Sequence, residues 1–189
     1  MVNCKFIHLM KSIPNYITLF RIAIIPMIIS TFYFRDSNFI KRLAVVLFFL
    51  ACITDFIDGW LARKLECQST IGEMLDPLAD KILVSTILIL LVRLDKINIL
   101  PCLLIISREI TISSLRGQLS IDLKSSYFAK IKTTVQMVSL FLFLLSDAYP
   151  SIIYIDKLAA ILLWIATIAT LCSGYSYLMK YIHRYNIRL

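Results

Sequence analysis

The chain has 189 residues, a length that fits one domain, and 59% of them are hydrophobic while only 17% are charged. An ordinary soluble domain is about 45–50% apolar and about 25% charged. With a mean hydropathy of +0.82, a water-soluble globule is excluded and lipid becomes part of the solvent. The net charge of +8 points to acidic lipid or an anionic substrate. Nucleic acid is not expected as a partner, because the basic residues fall between apolar runs rather than on a polar face.

Residues 2–11 alternate apolar and basic side chains, a pattern expected to lie along the membrane surface. Pro14-Asn15 then breaks the chain before the first apolar run. A run that spans a bilayer takes roughly 20 residues, and six are read here: 14–34, 40–60, 72–92, 97–115, 130–146 and 157–179. The expected fold is an all-α integral membrane protein, a single domain over 1–189 with six transmembrane helices and a short N-terminal interfacial segment. The first run has no small-residue cleavage site, so it reads as a span and not as a cleavable signal.

Arg21 sits early in the first run, where its long stem reaches back toward the interface. The second run ends in a polar set, Asp55, Asp58, Arg63 and Lys64, and a short polar stretch to Thr70 follows. Thr70-Ile71-Gly72-Glu73 fits a capping box, which predicts a new helix there. Pro77 inside that helix frees the carbonyl of Glu73 for another partner. Short polar loops around Arg93–Lys96, Gly117–Ser126 and Asp147–Asp156 join the remaining runs.

Basic residues 5, 11, 63, 64, 116, 124, 130, 132, 180, 184 and 188 fall to one side of these runs, and 35, 41, 42, 93, 96 and 157 to the other. By the positive-inside rule both termini are cytoplasmic. Cys4, Cys52, Cys67, Cys102 and Cys172 show no metal-type pairing and read as small hydrophobes. His8 and His183 have no partner motif.

The chemistry concentrates in Asp55-Phe-Ile-Asp58-Gly59-Trp-Leu-Ala62-Arg63 and Gly72-Glu-Met-Leu-Asp76-Pro-Leu-Ala-Asp80. Residues three and four apart share a helix face. Asp55, Asp58, Gly59 and Ala62 therefore form one stripe, and Gly72, Asp76 and Asp80 another. A tight connection sets the two helices side by side, with small residues where something must approach the backbone. Converging carboxylates raise one another's pKa unless the charge is compensated. Hard divalent cations with oxygen ligands, Mg²⁺ or Mn²⁺, supply that compensation, and two of them suit phosphoryl displacement. Helix capping, or pairing with Arg63, Lys64 and Lys81, explains any one aspartate alone. All four on matching faces, interleaved with two of the chain's four glycines, favour the metal site.

That spacing, Asp-x2-Asp-Gly-x2-Ala-Arg-x8-Gly-x3-Asp-x3-Asp, resembles the signature of the CDP-alcohol phosphatidyltransferase family at every fixed position. The resemblance implies six membrane helices, a homodimer and two bound divalent cations. It also implies transfer of a phosphatidyl or related group from a CDP-linked donor to an alcohol, releasing CMP. Carried onto this sequence, Asp55, Asp58, Asp76 and Asp80 ligate the metals, and Asp80 is the base for the acceptor hydroxyl. Gly59 and Ala62 line the cytidine pocket, with Asn15, Asp58, Arg63 and Gly72 also on the donor side.

The signature is shared across acceptors, so the acceptor is carried elsewhere. Ser107-Arg108-Glu109 falls in the fourth run, with Arg116 two turns further on a similar face, and Lys130, Lys132, Thr133, Gln136 and Ser139 form a polar stripe in the fifth. With Arg21, these cations either form a pocket for a phosphate dianion or serve as ion-pair partners and positive-inside anchors. Pro14-Asn15-x-x-Thr18-x-x-Arg21 with Pro26, then Arg108-Glu109, Leu115-Arg116 and Lys130-x-Lys132-Thr133-x-x-Gln136-Met137, resemble the branch that makes phosphatidylglycerol phosphate. Ala129 departs from that branch, which usually has Gly there. The branch implies CDP-diacylglycerol as donor and glycerol 3-phosphate as acceptor. Thr18, Arg21, Arg108, Arg116, Lys130 and Lys132 would hold the acceptor phosphate, and the setting would be the cytoplasmic face of a bacterial inner membrane. Serine, inositol phosphate or a phosphatidyl lipid are rival acceptors, and a neutral one leaves the basic cluster without a task. A divalent-metal transporter would use the same carboxylates, but the sequence shows neither paired halves nor repeated broken helices.

Overall fold

The structure, a computed structural model, describes residues 19–65, 70–118, 127–152 and 154–185, with side chains over 19–54, 78–114, 131–152, 154–176 and at 179. The expected interfacial segment, with Asn15 and Thr18, lies outside the described residues. The described residues fall into six helices and no strand. They are α1, described over Leu19–Tyr33, then α2 (Asn38–Leu65), α3 (Thr70–Arg93), α4 (Ile99–Gln118), α5 (Tyr127–Ala148) and α6 (Ile155–Tyr185). Each overlaps one apolar run of the sequence. The chain divides into two compact units, Met1–Leu90 and Leu91–Leu189.

Local chemistry sets the helix ends. Ser37 accepts from the backbone N–H of Phe39 at 3.2 Å and begins α2. Asn98 does the same for Leu100 at 2.9 Å and begins α4. These are N-cap bonds that satisfy donors the helix leaves unpaired. At the end of α3, Asp95 takes a left-handed φ of 56°. The N–H of Asp95 donates to the carbonyl of Val92 at 3.0 Å, and that of Lys96 to Leu91 at 3.1 Å. This is a Schellman ending with aspartate in the place glycine usually takes. Helix α3 is described from Thr70 and continues through Pro77.

In the first unit every helix carries one buried stripe at helical spacing. On α1 the stripe is Arg21, Ile24, Ile25, Ile28, Thr31 and Phe32; on α2 it is Ala44, Leu47, Phe48 and Ala51; on α3 it is Ala79, Leu83, Ile87 and Leu88. The i, i+3, i+4, i+7 recurrence is what an apolar helix face requires. Arg21 belongs to this buried stripe, with no exposed surface at all.

In the second unit α6 packs on both α5 and α4. Its buried face is built from Ala159, Leu163, Ala166, Thr167, Thr170 and Gly174. Ala166, Thr170 and Gly174 are spaced by four, a ridge of small side chains that lets neighbouring helices come close. Ser139 of α5, fully buried, donates from Oγ to the carbonyl of Ala159 at 2.7 Å and ties the two helices together. The opposite face of α6 presents Leu158, Ile161, Trp164, Ile165, Ile168 and Leu171 outward.

Large apolar side chains cover the outer faces of the other helices as well, among them Phe20 and Met27, Val46 and Phe49, Ile82 and Ile89, and Leu103 and Ile110. A soluble monomer rarely exposes apolar surface on this scale. By length and composition, two helices among the described residues are long and apolar enough to cross a membrane, α5 over Ile131–Ala148 and α6 over Ile155–Ser176. Leu19–Tyr33 is a shorter apolar helix.

Candidate active site

The first unit holds the aspartates. Asp55, Asp58, Gly59, Ala62 and Arg63 all lie in the last turns of α2, and Gly72, Asp76 and Asp80 in the first turns of α3. The helical backbone thus gives the i, i+3 and i, i+4 placement on which the two stripes depend. Only Asp80 is described beyond its backbone. It is half-buried, and its Oδ1 is shut off from solvent. The side chains of Asp55, Asp58, Arg63 and Asp76 lie outside the described residues, as do those of Arg116 and Lys130, whose backbones are helical in α4 and α5. Among the described residues no three carboxylate, histidine or cysteine side chains converge.

The second unit brings two of the predicted cations together. Arg108 Nη1 and Lys132 Nζ both donate to the same oxygen, Glu109 Oε1, at 2.9 and 3.0 Å. The cations are deeply buried, with 9% and 6% of their side chains exposed, against 25% for Glu109. Charges taken out of water persist only when paired and hydrogen-bonded, and two charge-assisted bonds to one carboxylate oxygen meet that demand. The three groups carry a net single positive charge. Arg108 sits on the buried face of α4, between Ile105 and Ile112, and Lys132 on that of α5, one turn before Gln136 and two before Ser139. A second nitrogen of the guanidinium, Nη2, donates to Ser173 Oγ of α6 at 3.0 Å. Its Nε is buried and makes no hydrogen bond among the described residues. A buried donor left unmet costs about 1–3 kcal/mol, and more on a charged group. Ion pairing among the described residues therefore leaves the Nε of this guanidinium unused.

Arg21, the fifth predicted cation, falls in the first unit, while Arg108, Arg116, Lys130 and Lys132 fall in the second. The sequence pattern grouped Arg108 with Glu109 but did not single out Glu109 as the shared partner of Lys132. It also passed over Ser173 and Gly174. A glycine within an apolar helix costs roughly 1 kcal/mol against alanine, and that cost is the signal that marks position 174.

A further cluster was not foreseen. Lys96, just past the end of α3, pairs with Asp156 in the first turn of α6 at 3.2 Å. Ser146 of α5 donates to the same carboxylate. A carboxylate at a helix N-terminus is favourably placed against the helix dipole. With 28% and 45% of the two side chains exposed, the ion pair is a fastening of α5, α6 and the turn after α3 rather than a reactive group.

Residues 11–172 match the CDP-alcohol phosphatidyltransferase family. A CDP-diacylglycerol–glycerol-3-phosphate 3-phosphatidyltransferase of Rickettsia typhi is 44% identical over 171 residues, covering 89% of this chain and 96% of its own. Enzymes of the same name are 39% identical in Haemophilus influenzae, over 88% of this chain and 91% of their own, and 38% identical in Bacillus subtilis, over 90% and 95%. With the signature laid along the end of α2 and the start of α3, and a family match spanning most of its length, the chain belongs to the CDP-alcohol phosphatidyltransferases.

Proposed function

We propose that the protein transfers a phosphatidyl group from CDP-diacylglycerol to glycerol 3-phosphate, giving phosphatidylglycerol phosphate and CMP in phospholipid biosynthesis. The observation that carries this reading is the relatives: enzymes with that one activity, 38–44% identical across 88–90% of this chain. The family match spans both units, which supports reading 1–189 as one catalytic domain.

Asp55, Asp58, Asp76 and Asp80 form an all-oxygen donor set that fits two hard divalent cations, Mg²⁺ or Mn²⁺. Such ions, when bound, neutralise the donor pyrophosphate and the charge that develops on it. Asn15, Asp58, Gly59, Ala62, Arg63 and Gly72 hold the CDP moiety, with Gly59 and Ala62 leaving room beside the helix backbone. Thr18, Arg21, Arg108, Arg116, Lys130 and Lys132 hold the acceptor phosphate. The pairing of the buried cations Arg108 and Lys132 about Glu109 supports the role of those two. Asp80 takes the proton of the acceptor 1-hydroxyl as its oxygen bonds to the β-phosphorus of the donor. The bond from that phosphorus to the bridging oxygen breaks, and CMP leaves with the electron pair. Catalysis is then mostly positioning and electrostatics.

The setting we infer is a bacterial inner membrane crossed six times, with both termini and the site on the cytoplasmic side. The apolar outer faces of the helices and the distribution of Lys and Arg support it. A homodimer is the assembly that the family resemblance implies.

An enzyme and a divalent-metal transporter separate in one assay. Purified protein in detergent, given CDP-diacylglycerol, glycerol 3-phosphate and Mn²⁺, is expected to release CMP. Absence of CMP release, together with Mn²⁺ uptake into proteoliposomes, would favour the transporter.

A further inference from the structure

We infer that Ser173 and Gly174, on α6 just past the end of the family match at residue 172, are positioning residues that set the guanidinium of Arg108 for the acceptor phosphate. This rests on the reading of Arg108 as an acceptor-binding cation.

Arg108 reaches from α4 onto α6, where two features receive it. Ser173 Oγ accepts from Nη2 at 3.0 Å. One residue on, Gly174 leaves the space in which the arginine stem lies. A Cβ at 174 would stand 3.0 Å from Cγ of Arg108, 3.2 Å from Nε and 3.7 Å from Cδ, and these are its three nearest neighbours. All three belong to one side chain. The glycine thus leaves room for the stem of Arg108. Two of the approaches are tighter than most Cβ contacts in proteins, so the arginine stem must give way by a few tenths of an ångström. Cγ also lies near the root of the side chain, where a shift turns the whole guanidinium.

The consequences for Arg108 follow from its other contacts. Its Nη1 bond to Glu109 Oε1 is 2.9 Å, and that oxygen also holds Lys132. Displacing the stem by a few tenths of an ångström moves the planar fork against Ser173 and Glu109 together. A guanidinium binds oxyanions through a fixed fork geometry, so misplacement weakens acceptor binding without removing the charge. The first unit, with the aspartates, contains none of these residues.

The test is a double-mutant cycle on purified enzyme, reading KM for glycerol 3-phosphate, KM for CDP-diacylglycerol and kcat. Gly174→Ala is expected to raise the glycerol 3-phosphate KM about tenfold, the scale of one charged hydrogen bond, with the donor KM changed less than about twofold. Ser173→Ala should shift the acceptor KM in the same direction, and Ser173→Thr should restore it. In an Arg108→Ala background both substitutions should lose their effect, because the side chain they act through is gone. If Gly174→Ala does not fold, the serine variants carry the same cycle. Equal effects with and without Arg108, or parallel rises in both KM values, would overturn the inference by reducing it to helix packing. If Arg108→Ala raises the acceptor KM while Gly174→Ala and Ser173→Ala do not, the positioning role alone falls. If Arg108→Ala itself leaves the acceptor KM unchanged, the acceptor reading of Arg108 falls and this inference with it.

Discussion

Glu109 Oε1 accepts from two buried cations at once, and under the proposed function that geometry bears on how an anionic acceptor is held. Lys132 is nearly as buried as Arg21, and it ends on a carboxylate shared with an arginine. Lys132→Ala should therefore raise the KM for glycerol 3-phosphate about 10- to 100-fold, the worth of a hydrogen bond to a charged group, with kcat little altered. Steady-state kinetics with varied acceptor checks this, and an unchanged KM would make Lys132 a topological anchor. Asp80 carries a different expectation. Asp80→Asn keeps the size of the side chain but cannot accept the proton, so kcat should fall by about 10²- to 10⁴-fold while CDP-diacylglycerol still binds. Near-normal turnover would remove Asp80 from the role of base.

Helix placement is where the sequence spoke most clearly. Apolar runs of spanning length predict six helices, and helices stand at all of them among the described residues. The small-residue face of α6 and its partners were not legible, because they depend on which helices meet and in which register. Ser139 on Ala159, Arg108 on Ser173 and Lys96 on Asp156 join positions 20, 65 and 60 residues apart. Periodicity within one helix carries no information about such pairs. Ala166, at the head of the small ridge and fully buried, tests the packing. Ala166→Leu should destabilise the fold by about 1–3 kcal/mol through overpacking, seen as a lower Tm. Ile165→Leu, on the outward face, should leave Tm unchanged. Removing the half-exposed pair with Asp156→Asn should cost under about 1 kcal/mol.

For the whole molecule, the two halves of the chemistry lie in different parts of the chain. The signature aspartates fall in Met1–Leu90, and four of the proposed acceptor cations in Leu91–Leu189. Their joint use is legible in the sequence only through the family resemblance, since spacing within a helix links Asp76 to Asp80 but not Asp80 to Arg108. The proposed topology predicts that, in a cysteine-free background, a single cysteine at Asp95 reacts with a membrane-impermeant thiol reagent from outside intact cells. One at Arg188 should react only after lysis. The reverse pattern would invert the orientation. In the proposed function the four aspartates serve transfer to glycerol 3-phosphate. Its most direct measurement offers purified protein labelled CDP-diacylglycerol with Mg²⁺ or Mn²⁺ and, separately, glycerol 3-phosphate, serine and inositol phosphate, and identifies the lipid formed. Phosphatidylglycerol phosphate with equimolar CMP is expected from glycerol 3-phosphate alone, abolished by EDTA and restored by adding back the metal. A lipid product from serine or inositol phosphate instead, or transfer undiminished in EDTA, would contradict the proposed function.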